Sequence, residues 1–291
     1  MARADLLLLV ANIVYGTSYV VTRLTLADIP PATLALLRVV IGGAVLLPLA
    51  RAQRSSRPPT ARVRIALMGL FGFAGAFALA NWGVAYSTAT NAALLITVEP
   101  LTLVLAGPLV LGERLRRSEL IGAVLALLGA TLVVVNGIPG LTHGILPRWR
   151  GDVLLVLAGV AYAAYSLIGR PVLAHGHALA VTAQSILWGA VGLAPFAALE
   201  WLDGHRPAPS ATAVAGALYL GIVITALGYL AWNWALERVT AARAGIFVNL
   251  QPVVGAGLAI GVLDERATLF TAAGGVLVIV GIFLTMRQAA D

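Results

Sequence analysis

The sequence predicts an all-α polytopic membrane protein, with ten transmembrane helices arranged as two five-helix inverted-topology repeats. Three observations carry that prediction. First, 60% of the 291 residues are hydrophobic and only 11% are charged, with a mean hydropathy of +0.95. A soluble domain carries about a quarter charged residues, and apolar content this high cannot all be hidden in one core, because a folded chain leaves much of its surface outside. Second, turn and charge signals cut the chain into ten apolar stretches of spanning length. Third, the two halves of the chain repeat each other.

A spanning helix needs about 20 mostly apolar residues. Such stretches lie at roughly 4–26, 33–50, 64–86, 91–111, 118–136, 151–173, 179–201, 212–234, 242–262 and 268–286, here called spans 1 to 10. Span 1 opens with Arg3 and the run Leu6 to Val10, which resembles a signal peptide. The apolar run continues to Leu26 without a small-x-small cleavage site, so it is read as a span. Ile29-Pro30-Pro31 cannot continue a helix and sets the start of span 2. The basic, Pro/Ser-rich loop from Arg51 to Arg64 separates spans 2 and 3, and Asn136-Gly137-Ile138-Pro139-Gly140 stops span 5. Little chain remains for a soluble domain. The expected organisation is a first repeat over 1–136, a connecting loop over 137–149 and a second repeat over 150–287.

Ten spans put both termini on one side, and short cytoplasmic loops accumulate positive charge. A cytoplasmic N-terminus places thirteen arginines inside: Arg3, Arg51, Arg54, Arg57, Arg62, Arg64, Arg114, Arg116, Arg117, Arg170, Arg238, Arg243 and Arg287. Arg148, Arg150, Arg206 and Arg266 then fall outside, and Arg23 and Arg38 lie within spans. The expectation is a multi-pass membrane protein with both termini cytoplasmic. The net charge of +7 is thus ascribed to topology and contact with the lipid bilayer, and no nucleic-acid partner is expected.

Two absences exclude chemistry. There is no cysteine, which removes disulfides, thiolate metal sites and cysteine nucleophiles. All 19 basic residues are arginine, so a P-loop lysine and a Schiff-base lysine are also excluded. No Gly-x-Ser-x-Gly elbow occurs. The four histidines (His143, His175, His177 and His205) fall in predicted loops, and His175-Gly176-His177 lacks a third ligand nearby. No cofactor, no metal and no enzymatic activity are expected.

The repeat is read by sliding the sequence on itself. At an offset of 147, Arg3, Asp5, Leu7, Leu8, Ala11, Tyr15, Arg23, Gly42 and Pro48 meet Arg150, Asp152, Leu154, Leu155, Ala158, Tyr162, Arg170, Gly189 and Pro195. At an offset of 152, residues 81–134 align without a gap on 233–286, with 15 of 54 positions identical. These include Asn81-Trp82 on Asn233-Trp234, Pro100 on Pro252, Glu113-Arg114 on Glu265-Arg266, and Gly122 and Gly129 on Gly274 and Gly281. The five-residue change of offset falls between the second and third spans of each half. An odd number of spans per repeat makes the second half enter the membrane from the opposite side. Many secondary transporters are built this way, and two such halves can exchange conformations to open one face and then the other.

Ten spans as five plus five, Tyr15-Gly16-Thr17-Ser18 in span 1, Arg38 in span 2, the run Asn91-Ala92-Ala93-Leu94-Leu95 before Glu99-Pro100, and Gly112-Glu113-Arg114 before span 5 resemble the EamA-type drug/metabolite transporter superfamily. The similarity covers the whole chain, and within the superfamily it looks most like the YddG-type aromatic amino acid exporters, which implies a bacterial inner (plasma) membrane as its location. The resemblance implies a central cavity lined mainly by spans 1, 3, 4, 6, 8 and 9, with spans 5 and 10 peripheral. Nucleotide-sugar and triose-phosphate branches commonly use lysine near the phosphate, and its absence here counts against those substrates.

Several polar residues fall at membrane depth. Glu99, near the middle of span 4, is expensive to ionise there. It is read as a proton carrier, as a partner for a substrate ammonium group, or as a structural carboxylate paired with a residue such as Arg38. Its repeat partner is the neutral isostere Gln251. Pro100 and Pro252 free backbone carbonyls at symmetric positions and are candidate hinges. Asn12, Tyr15, Tyr19 and Thr22, with Ser18 adjacent, form a stripe on span 1, which Tyr162, Tyr165, Ser166 and Gly169 echo on span 6, and these faces are read as turned inward. Phe77, Asn81 and Trp82 on span 3 and Tyr229 on span 8 complete the aromatic wall, and Asn249 and Gln251 on span 9 add polar groups. Asn81 and Asn233 are candidate gate residues. Arg38 is read as snorkelling or structurally paired in preference to binding substrate, and Gly257 with Gly261 as close helix packing.

The expected function is alternating-access export of small amphipathic metabolites, and the resemblance points to aromatic and other neutral amino acids. The protein is expected to work as a monomer. The alternative is a proton-coupled exporter of cationic drugs using Glu99. An intramembrane enzyme lacks a nucleophile–base pair or metal cluster, and a receptor or scaffold without transport is a third possibility.

Overall fold

The computed structural model describes residues 3–52, 61–111, 117–135, 148–173, 177–236, 238, 247–248 and 250–287. Among them, every regular element is a helix, and each of the ten apolar stretches contributes at least one. Six are long and apolar enough to cross a membrane: Leu6–Thr25, Pro31–Ala52, Arg62–Tyr86, Trp149–Leu173, Ala178–Leu202 and Ala211–Ala235. The other four are shorter within the described residues: Ala89–Leu103, Leu120–Val135, Leu250–Leu263 and Leu269–Gly281. Large apolar side chains such as Leu128, Val191, Val262 and Val276 stay exposed, as a surface facing lipid requires. Asn249, Gly112-Glu113-Arg114, His143, His175, the stop at Asn136–Gly140 and the loop arginines Arg54, Arg57, Arg114, Arg116 and Arg243 lie outside the described residues.

The helix boundaries follow local chemistry. Span 2 begins at Pro31, where proline's fixed φ suits a first helical position and its missing N–H costs nothing. Span 4 is broken: helix Ala89–Leu95 is N-capped by the Thr88 hydroxyl, and helix Val98–Leu111 starts after Ile96-Thr97. Pro100 has no N–H to give to the Ile96 carbonyl four residues back, and the Glu99 N–H takes that carbonyl at 2.9 Å. The corresponding helix Leu250–Leu263 carries Pro252 at its third position, as Val98–Leu111 carries Pro100. Spans 3 and 8 each contain a π-helical stretch, Gly69–Gly75 and Tyr219–Gly228.

Packing obeys the repeat. Span 2 packs on span 7, span 5 on span 10, span 1 on spans 8 and 9, span 6 on spans 3 and 4, span 2 on span 8 and span 7 on span 3. Exchanging each span with its counterpart in the other half returns the same set of pairs, so the bundle has a pseudo-twofold. Glycines mark where the pseudo-twofold brings backbones together. A Cβ on Gly129 would lie 2.5 Å from the Gly274 carbonyl oxygen, and one on Gly281 2.5 Å from that of Gly122, so the 5–10 crossing contacts itself through exchanged partners. The π-helical stretches cross spans 7 and 2 in the same way, Gly69 facing Gly189 and Gly221 facing Gly42. Gly257 and Gly261, by contrast, have nothing within 4 Å of an added Cβ. They do not serve close packing, because that face of span 9 is exposed.

Carboxylates tie helix ends together on one face. Glu200, ending span 7, accepts from the Ala32 and Thr33 N–H groups at 2.9 and 2.8 Å at the start of span 2. The end of span 7 therefore meets the start of span 2, and the two equivalent helices run antiparallel, as inversion demands. Glu265, between spans 9 and 10, accepts in the same manner from the Ala89 and Thr90 N–H groups, both at 2.9 Å. Negative groups are favoured at both places by the unpaired N–H donors of a helix N-terminus. Asp152 accepts from Ser87 and, at 3.0 Å, from Asn91, and Arg23 donates to the Val84 carbonyl at 2.7 Å.

Candidate functional site

Among the described residues, the central cavity is lined by spans 1, 3, 4, 6, 8 and 9, with one side chain from span 2 and none from spans 5, 7 or 10. Its unfilled space, including the part open to solvent, is about 880 Å³.

Aromatic rings form its wall, and they follow the pseudo-twofold. Phe77 of span 3 corresponds to Tyr229 of span 8, and their ring centroids are 6.0 Å apart. Tyr15 of span 1 packs on Tyr229 at 6.1 Å, and its counterpart Tyr162 of span 6 packs on Phe77 at the same distance. Phe73 and Tyr165 back this group, each within 6 Å of the Tyr229 ring. Edge-on packing of this kind fixes ring positions beyond what area burial alone gives. The π-helical stretches end beside Phe77 and at Tyr229; the extra residue in such a turn re-aims the side chains that follow it.

The polar side chains break the symmetry. On the second half, Gln251 is fully engaged: its Nε2 donates to Asn12 Oδ1 at 2.8 Å and its Oε1 accepts from the Tyr19 hydroxyl at 3.1 Å. On the first half, the equivalent Glu99 receives, among the described residues, only the Ser166 hydroxyl at 3.5 Å, a long and weak contact. Gly159 stands where the repeat has Asn12, and a Cβ there would lie 3.1 Å from the Glu99 backbone nitrogen. Glu99 thus lacks the amide clasp that Gln251 enjoys, and its oxygens face the cavity.

Arg38 also enters the cavity. It is 5% exposed, its guanidinium carbon lies 4.1 Å from the centroid of the Phe77 ring, and its Nε has no hydrogen-bond partner. It does not snorkel, and it is not paired with Glu99. Span 2 starts at Pro31, so Arg38 lies two turns into the helix, on the face turned toward span 3. Inserting an arginine at such depth costs about 2.5–3.5 kcal/mol, and a cation–π contact returns about 0.5–2 kcal/mol. The ring therefore offsets only part of the cost.

Of the residues expected from the sequence to bind substrate, Tyr15, Ser18, Tyr19, Phe77, Asn81, Glu99, Tyr162, Ser166, Tyr229 and Gln251 come together around this cavity. Asn12 does not line it: it is fully buried behind Gln251, with its Nδ2 donating to the Leu8 carbonyl at 2.8 Å. Trp82 points away as well, its indole N–H reaching Glu200 at 3.3 Å and its ring packing on Phe196. Thr22 and Tyr165, which share the inward-facing stripes of spans 1 and 6, line the cavity as well; Trp232 lines it from the end of span 8, and Arg38 lines it against the expectation that it snorkels or is structurally paired. A tryptophan at a span end carries no local signal that separates a cavity-lining residue from a membrane-interface one.

The asparagines expected at gates tie spans pairwise. Asn81 donates to the Pro31 carbonyl at 3.0 Å, and Asn233 donates to the Tyr165 and Thr182 hydroxyls at 3.2 and 2.6 Å. Each leaves its buried Oδ1 without a partner. No group of three or more potential metal ligands occurs among the described residues.

Comparison with known proteins agrees with this architecture. Residues 2–135 and, separately, 149–287 match the EamA-like transporter family. A probable terminal-alkyne amino-acid exporter of Streptantibioticus cattleyicolor is 29% identical, over 99% of this chain and 95% of its own length. A probable amino-acid metabolite efflux pump of Escherichia coli is 28% identical, over 98% of this chain and 96% of its own. A solved crystal structure, 22% identical, shares the fold with a TM-score of 0.68 over 98% of this chain and 96% of that one.

Proposed function

The chain belongs to the EamA-like transporter family, and from that premise we propose that it exports neutral amino acids, aromatic ones among them, by alternating access. It is a transporter and not an enzyme. The observation that carries the substrate assignment is the cavity between the two repeats, walled by the aromatic group around Phe77 and Tyr229 and holding one cation and one carboxylate that are not paired with each other. Aromatic faces suit an apolar side chain, and the two charges suit the polar end of an amino acid. The names of the two exporters above point the same way.

The proposed cycle uses the pseudo-twofold. The ring of contacts made by Glu200, Glu265 and Asp152 would be the closed gate of the present state. The arginine distribution supports a reading with that face outside and both termini cytoplasmic, and in a bacterial inner membrane this state would then receive substrate from the cytoplasm. Exchange of the two halves' conformations, hinged near Pro100 and Pro252, would open the other face. The halves themselves are taken as 1–136 and 150–287, joined by 137–149, in a monomer within the lipid bilayer.

A second reading, proton-coupled export of cationic drugs, is favoured by the weak hold on Glu99. Arg38 in the same cavity weighs against it, because a like charge repels a cationic substrate. Counterflow in proteoliposomes tests the assignment. Vesicles preloaded with unlabelled amino acids should accumulate labelled tryptophan or threonine without a pH gradient. Failure with every amino acid tried would remove the assignment and bring the drug-exporter reading forward.

A further inference from the structure

The two repeats present nearly the same aromatic wall to the cavity and differ in charge at two corresponding positions. Arg38 of span 2 corresponds to Ser185 of span 7, and Glu99 of span 4 to Gln251 of span 9. Both charges thus come from the first half, while on the second half Ser185 lies off the cavity with its hydroxyl on the Thr182 carbonyl, and Gln251 presents an engaged amide. Arg38 is buried with the Phe77 face against its guanidinium, and among the described residues the one hydrogen bond to the Glu99 side chain is from the distant Ser166 hydroxyl. Tyr15, Tyr19 and Tyr162 line the same cavity as both charges.

Resting on the amino acid reading above, we propose that Arg38 and Glu99 form a zwitterion clamp: the guanidinium receives the substrate's carboxylate, Glu99 receives its ammonium group, and the side chain lies among the aromatic rings. A guanidinium presents forked donors that match a carboxylate, and Arg38 has donors free to make that match. The cavity carries one charge of each sign, so the matching ligand carries one of each. A pure cation meets repulsion from Arg38 and a pure anion from Glu99. The aromatic scaffold is close to symmetric and the charges are not, so the clamp orients the substrate one way while the wall tolerates many side chains.

The test compares ligands on the unaltered protein. Labelled tryptophan counterflow is competed with L-tryptophan, tryptamine, which lacks the carboxylate, and indole-3-propionate, which lacks the amine. The clamp predicts that each truncated compound competes about tenfold or more weakly than L-tryptophan, since each loses one charge-assisted contact. In Arg38→Met the difference between tryptophan and tryptamine should collapse toward unity, while Arg38→Lys, keeping the charge, should retain part of it. A merely structural arginine would change protein yield or stability and leave that ratio unaltered. Tryptamine competing as well as tryptophan in the unaltered protein overturns the clamp and leaves the exporter reading intact. If no amino acid drives counterflow, that reading fails, and thermal stabilisation of the purified protein decides the clamp. Stabilisation by L-tryptophan but not by tryptamine or indole-3-propionate upholds it, and equal or absent stabilisation overturns it.

Discussion

Glu99 and Gln251 occupy corresponding places in the two repeats, and their surroundings assign them different tasks. Gln251 spends both ends of its amide on Asn12 and Tyr19 and so braces span 9 against span 1. Glu99 has no such brace, so exchanging it for glutamine removes a charge without removing a support. Glu99→Gln should therefore fold normally and require about tenfold more neutral amino acid for half-maximal counterflow, about 1.4 kcal/mol of lost binding. Full flux at unchanged concentration and independent of the pH gradient would leave Glu99 neither a ligand group nor a proton carrier. Glu99 was legible in the sequence as a carboxylate at membrane depth. Arg38 was not, because its distance from the end of span 2 allows either snorkelling or burial. Only the packing of span 2 against span 3, which sets Phe77 beneath the guanidinium, decides between them. Asn12 and Trp82 failed as ligand candidates for a related reason: a polar stripe at helical spacing says that a face turns inward, not whether it meets a cavity or another side chain.

Glycines separate the elements that must touch from those that face lipid. At Gly69 an added Cβ would lie 2.2 Å from the Ser185 carbonyl oxygen and 2.5 Å from the Trp188 Cβ. Span 3 would then have to move off span 7, and its π-helical stretch with it. Gly69→Ala should cost about 1–3 kcal/mol, in the range of overpacked cores, and lower the thermal unfolding temperature of the purified protein. Gly257→Ala meets open space, and alanine's better helix propensity should raise stability by about 0.5–1 kcal/mol. Equal effects at the two sites would deny that the 3–7 crossing depends on backbone contact. The sequence showed the paired glycines of spans 5 and 10, because Gly122 and Gly129 recur as Gly274 and Gly281. It could not separate these from Gly257 and Gly261, since spacing is blind to which face a neighbour covers. The π-helical stretches were likewise illegible, because they answer to the crossings with spans 7 and 2 and carry no local signature. The break in span 4 was partly legible through Pro100, which locates the lost hydrogen bond but not its replacement by the Glu99 N–H.

At the scale of the molecule, inversion and orientation are separate claims resting on separate physics. Inversion follows from five spans per repeat and from antiparallel contact between equivalent helices, the end of span 7 holding the start of span 2 through Glu200. Orientation follows only from charge, because thirteen arginines gather on one side and four on the other when the N-terminus is cytoplasmic. The chain has no cysteine, so a single introduced thiol reports its side of the membrane without background. Arg51 and Leu202 suit this use: both are exposed, and they lie at the C-terminal ends of the equivalent spans 2 and 7. In intact cells a membrane-impermeant maleimide should label Leu202→Cys, and it should label Arg51→Cys only after permeabilisation. Labelling of both from one side would contradict inversion, and alternating access by exchange of the two halves would lose its structural basis. The reverse pattern would preserve inversion and overturn the orientation. The face held by Glu200, Glu265 and Asp152 would then be cytoplasmic, and the cavity described here would be loaded from outside, as in uptake.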